Sequence, residues 1–188
     1  MSTPKKNNRT MMLLLAAVFI LPVILAKFAL DNGWFNQAVT NKGELLTPPV
    51  DMRVLQISTQ QPKWKLLYVL PEICALECEN ALYSIAQVHS ALGKESDRAE
   101  VVVITHEKSN LVQLALLKDK QNIRLLNTNL KSLQQVFKEN TTDGIFIADT
   151  LDNVILRYPL QIDQEQAILH SRDILSDMRK VLKLSHIG

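Results

Sequence analysis

Residues 64–93, WKLLYVLPEICALECENALYSIAQVHSALG, decide how the rest of the chain is read. Residues 64–70 are an apolar and aromatic run broken only by Lys65, too short for a helix and closed by Pro71. That is the pattern of a buried central strand. Proline removes a ladder donor and ends it, and apolar residues then recur at helical spacing at Leu76, Leu82, Ile85, Val88 and Leu92. Gly93 supplies the left-handed stop. The two cysteines of the chain, Cys74 and Cys78, fall four residues apart at this strand-to-helix junction, so both thiols project to one side of the first helical turn. Isolated cysteines are most often small buried hydrophobes. A close pair where helix N-terminal amides favour thiolates points instead to redox or metal chemistry.

Upstream, residues 1–10 are polar and basic, with Lys5, Lys6 and Arg9. Residues 11–30, MMLLLAAVFILPVILAKFAL, carry one charge, Lys27, near the far end. At about 1.5 Å rise per residue this run just spans a bilayer core of about 30 Å. The basic flank predicts a cytoplasmic tail at 1–10, a transmembrane helix at 11–30 and translocation of everything after it. A cleaved signal peptide has the same basic start and apolar middle. No clean A-x-A site follows the run, which favours an uncleaved signal-anchor. Residues 31–49, rich in Asn, Gln, Thr and Pro, are expected to form a juxtamembrane linker, with a first strand near 54–58. Residues 50–188 are then one domain of ordinary size.

Beyond Gly93, residues 99–105 (AEVVVIT) have the β-branched continuity of a parallel strand covered on both faces. Helices are expected over 109–118 and 130–138, with a short strand at 123–126 between them. GIFIAD and VILRY, either side of residues 150–153, make a hairpin. Asp163 and Gln166 form a capping pair for a long helix over 164–184, with Ile168, Leu169, Ile174, Leu175, Met178, Val181 and Leu182 as its apolar stripe. The fold class is therefore α/β: a thioredoxin-like mixed sheet flanked by helices, preceded by one N-terminal transmembrane helix.

The run LLYVLPEICALEC resembles the strand and C-x-x-x-C turn of the Sco family, membrane-anchored thioredoxin-like copper proteins that assist the copper site of cytochrome c oxidase. The longer stretch WKLLYVLPEICALECENALYSIAQVHSALGKESDRAEVVVI, with the apolar anchor and NKGELLTPP, is similar to small membrane proteins of bacterial cytochrome oxidase assembly gene clusters. The resemblance implies a single-pass protein of the bacterial inner membrane with its domain in the periplasm. Its partners would be the membrane and oxidase subunits or other assembly factors. Cys74 and Cys78 would hold Cu(I) as two thiolates or cycle as a redox pair. Sco proteins add a histidine just before the hairpin; that position here is Thr141.

Other histidines are weighed as a third metal ligand. His89 lies roughly 16 Å along the helix from Cys78 and is too far. His170 and His186 read as solvated residues of the C-terminal helix or tail. His106 ends the 99–105 strand on the sheet edge where Cys74 sits, and is the candidate to complete a Cys74, Cys78, His106 site. The second reading is a thiol-disulfide oxidoreductase, although C-x-x-x-C is one residue longer than C-x-x-C and Glu72, Glu77 and Glu79 crowd the thiols with negative charge. The third is a non-catalytic assembly scaffold with a structural cysteine pair. Nucleic acid is not an expected partner: the formal charge is +2, and much of the basic excess lies ahead of the anchor.

Overall fold

The structure, a computed structural model, describes residues 8–31, 41–55, 62–138 and 142–185. Two units result, residues 1–40 and residues 41–188. The first contributes helix α1, Asn8–Asp31, whose segment Met11–Ala29 is long and apolar enough to cross a membrane. Pro22 lies inside it.

The second unit is a six-stranded sheet of order β1-β6-β5-β2-β3-β4. Its centre is β2, Trp64–Val69, which pairs in parallel with β3, Ala99–Thr105, and antiparallel with β5, Ile145–Ala148. Strand β4, Ile123–Asn127, extends the parallel half, and β6, Asn153–Tyr158, closes the hairpin with β5. Alternate residues of β2 feed two cores. Leu66, Tyr68 and Leu70 join one with α2 (Leu76–Ala91) and α5 (Gln164–Leu184), and Leu117 of α3 (Leu111–Lys118) adds to it. Leu67 and Val69 join the other with Leu133 of α4 (Leu130–Val136), Met52 and Leu55. Burial on both faces is why β2 and β3 read as continuous apolar runs. The exception, Lys65, is 1% exposed and meets Asp152 of the hairpin turn at 2.8 Å. Asp152 has φ 67°, a conformation that Asp tolerates better than most residues.

Helix boundaries follow the sequence signals closely. The expected capping pair holds, since the Asp163 side chain accepts from the Gln166 amide at 2.9 Å. For α3 the cap is Asn110, accepting from the Gln113 amide, and for α4 it is Asn129, accepting from Ser132. Gly93 has φ 60°, as a left-handed stop requires, and a 3-10 segment, Gly93–Arg98, then leads into β3.

The region after the anchor differs from expectation. Residues 44–49, expected in the linker, belong to β1, Glu44–Asp51, which pairs antiparallel with β6. No strand forms at 54–55, which fall in the 3-10 turn Arg53–Leu55; residues 56–58 of the expected strand lie outside the described residues. The free edge of β6 recruits the earlier segment. Pro48 and Pro49 are compatible with it because an edge strand needs no second ladder donor, and the register shifts between Leu45 and Val50. Leu46, Val50, Met52 and Leu55 cover the second core.

A buried carboxylate fastens this segment. Asp177 of α5 is fully buried and accepts from the Gly43 amide at 3.0 Å, the Lys42 amide, the Tyr158 hydroxyl at 2.9 Å and Lys180 Nζ at 2.9 Å. Gly43 is required by proximity, because an added Cβ would come within 2.5 Å of the Tyr158 ring. Burial pushes the Asp177 carboxyl up, but donation from the Gly43 amide, Lys180, Tyr158 and the Lys42 amide outweighs it and holds the group below the usual carboxylate range. A depressed carboxyl stabilises the fold above its unfolded value of about 4 and stops doing so as pH falls through its lower folded value. Asp177→Asn is therefore expected to cost about 2 kcal/mol at pH 7 in urea unfolding. Its stability should also fall less steeply than wild type below about pH 4. Equal slopes in the two proteins would contradict this role.

Candidate functional site

The C-terminal ends of the parallel strands β2 and β3 lie side by side, and the chain leaves both there. The two departures are bound to each other. The Leu70 amide donates to Ile104 O at 2.9 Å, and buried Ser109 donates through Oγ to Leu70 O at 2.7 Å while accepting from the His106 amide at 3.0 Å. The Asn110 amide donates to Pro71 O at 2.8 Å, and its side chain to Glu72 O at 3.3 Å. Ser109, expected as the first residue of a helix over 109–118, precedes that helix and locks the two loops together.

On this platform residues 71–75 cross to α2, which starts without a side-chain cap at Ala75. Cys74 and Cys78 are joined as a disulfide across that turn, with Cα atoms 5.1 Å apart. The two sulfurs differ in setting. Cys78 sits on the buried side of α2 at 1% exposure, whereas Cys74 precedes the helix and is only partly buried. Ile73 and Leu76, either side of the partly exposed sulfur, are 80% and 61% exposed.

A cavity of about 550 Å³ opens beside the disulfide. Cys78, Glu77, Tyr68, Pro71 and His106 line one part of it, and Leu133, Phe137, Thr142 and Asp143 another. His106 and Cys78 thus line one cavity, whereas Cys74, the cysteine that the sheet-edge argument set beside His106, is not among its lining residues. The His106 ring accepts from the Lys108 amide through Nδ1 at 3.2 Å, which fixes the imidazole toward its own loop. Among the described residues no three His, Cys, Asp or Glu side chains gather as a metal-binding group. With the bond closed the sulfurs offer no thiolate; opened, they supply two soft donors suited to Cu(I). Thr141, at the position of the Sco histidine, lies outside the described residues, but its neighbours Thr142 and Asp143 face the same cavity.

Other candidates are placed elsewhere. His89 Nε2 is 3.2 Å from Ala99 O on the far part of α2, His170 is 3.5 Å from Gln161 on α5, and His186 lies outside the described residues. Of the three glutamates expected to crowd the thiols, Glu77 lines the cavity and Glu72 and Glu79 are exposed. Sequence reasoning missed Tyr68 as a polar group. Its hydroxyl is buried without a hydrogen-bond partner among the described residues, and burial first, then the carboxylates of Asp143 and Glu77, push its pKa well up.

No curated protein matches the chain. Among solved structures, the copper-bound ScoI of Bradyrhizobium japonicum is similar at 17% identity, covering 60% of this chain and 85% of that one, with a TM-score of 0.41. A SCO1/SenC family lipoprotein from Bacillus anthracis gives 16%, 64%, 82% and 0.45 on the same measures. A DsbF homologue from Corynebacterium diphtheriae gives 16%, 61%, 73% and 0.40. The model of the transmembrane-like, thioredoxin-like, C-terminal domain family matches residues 64–185. Those residues run from the first residue of β2 to the end of α5, and the chain belongs to that family.

Proposed function

We propose that this protein is a membrane-anchored thiol-disulfide protein of cytochrome c oxidase assembly, whose Cys74–Cys78 pair exchanges with cysteines of copper-site proteins on the periplasmic side of the bacterial inner membrane. The observation that carries the reading is the closed disulfide with one sulfur reachable and the other buried. Exchange proceeds by attack of a thiolate on one sulfur and departure of the other, so an accessible Cys74 and a sheltered Cys78 divide the two roles. A disulfide persists in oxidising compartments, which supports the periplasmic placement that the basic residues ahead of the apolar helix predict. The oxidase as destination comes from the likeness of LLYVLPEICALEC to the Sco turn.

A second reading, Cu(I) as cargo on the reduced pair, is favoured by His106 lining the same cavity as Cys78. It ranks below thiol exchange because a two-thiolate site needs a further donor and the described residues do not bring three ligands together.

Equilibration of the full chain in detergent with glutathione buffers separates the readings from each other and from a scaffold role. Thiol exchange predicts reversible, two-electron interconversion of the pair. Cu(I) titration of the reduced protein against a competing chelator, with a Cys74→Ala, Cys78→Ala control, should show weak binding. Tight one-to-one binding abolished in the control would make copper the cargo, and neither behaviour would leave the scaffold. Partial reduction followed by brief alkylation should label Cys74 at least about tenfold faster than Cys78, because reactivity follows access. Equal labelling would contradict the division of roles.

A further inference from the structure

The cavity beside the disulfide is lined by a residue whose polar group finds no partner among the described residues. Tyr68 stands in the middle of β2, its side chain in the same core as Cys78, and is 1% exposed. Its hydroxyl is fully buried and makes no hydrogen bond to any described residue, and Tyr68 lines the cavity that Cys78 also lines. A phenylalanine would fill the same space without the desolvation cost of an unmade hydrogen bond. Core packing therefore does not account for the hydroxyl.

The other redox state supplies a use for it. A client thiolate attacks Cys74 Sγ; the client–Cys74 bond forms, the Cys74–Cys78 bond breaks, and the electron pair departs on Cys78 Sγ. A second client thiolate then attacks the client sulfur, releasing Cys74 as a thiolate and leaving the client as a disulfide. Two electrons have passed from the client dithiol to the pair. The sulfur that carries charge first, Cys78, is the buried one, and Glu77 and Asp143 place negative charge around the same cavity. A buried thiolate there needs a donor.

Resting on the thiol-exchange reading, we propose that Tyr68 is a positioning residue that donates a hydrogen bond to the Cys78 thiolate once the disulfide opens, and so raises the reduction potential of the pair. Tyr68 keeps its proton throughout. Its hydroxyl is a donor at any physiological pH because burial, with Asp143 and Glu77, opposes its ionisation. The hydroxyl has no partner among the described residues of the oxidised protein and gains one in the reduced protein, so it favours reduction from both sides.

The test is the glutathione equilibrium of the full chain in detergent, for wild type and Tyr68→Phe, with Tyr83→Phe on the exposed face of α2 as a control. Tyr68→Phe is expected to make the disulfide about tenfold harder to reduce, a shift of about 30 mV to more negative potential, while Tyr83→Phe matches wild type. Thermal unfolding gives an independent reading: oxidised Tyr68→Phe should melt at or above wild type, and the reduced variant below it. An unchanged potential, or equal loss of stability in both redox states, would overturn the proposal while leaving thiol exchange standing. A wild-type pair that never equilibrates with glutathione would overturn both.

Discussion

Strand β2 is the constraint on which the rest of this domain depends. It is paired on both sides and covered on both faces, so a chain leaving it can do so only at its ends. Proline at 71 fixes where it leaves. Beyond that point no ladder holds the backbone, and the segment carrying Cys74 is instead held by carbonyls and amides shared with the end of β3. At the opposite end of β2, Lys65 reaches Asp152 in the hairpin turn and ties the antiparallel half to the central strand. Such a pair adds little net stability, but removing either partner leaves a buried charge, so it penalises any other register of the hairpin against β2.

The chemistry follows from placing two sulfurs at the rim of that framework. One is set in the first turn of a helix facing the core, the other just before the helix begins. The disulfide therefore has an outer and an inner end. The inner end opens toward a cavity lined with ionisable groups, and the outer end is flanked by the exposed side chains of Ile73 and Leu76. Placement thus separates the two sulfurs by access: Cys74 is the one within reach of solvent, and Cys78 the one set in the interior.

Much of this was legible because buried parallel strands and amphipathic helices leave long periodic traces. The apolar runs of β2 and β3, the hairpin around residue 152, and the stripe and cap of α5 all fall where pattern places them. Strand β1 was not legible: it has two prolines, little alternation, and is a strand because β6 offers it an edge. Asp177 falls outside the apolar stripe of α5 and its role leaves no local trace, since the groups that bind it lie 134 and 135 residues away at Gly43 and Lys42. Tyr68 read as one more aromatic in a core strand. A sequence gives the residue but not whether its hydroxyl finds a partner. For the cysteines, spacing and position found the pair, while the difference in burial between them needed the packing of α2 against β2.

The central claim is that Cys74 is the sulfur a client meets and Cys78 the sulfur that leaves when the disulfide opens and displaces the client from Cys74 when the same step runs in reverse. Trapping in the native membrane tests this most directly. The full chain carrying Cys78→Ser, unable to resolve, should accumulate a reducible mixed disulfide through Cys74 with a copper-site or assembly protein of the oxidase. Cys74→Ser should accumulate none. Equal trapping through Cys78, or no mixed disulfide with either variant, would contradict the account.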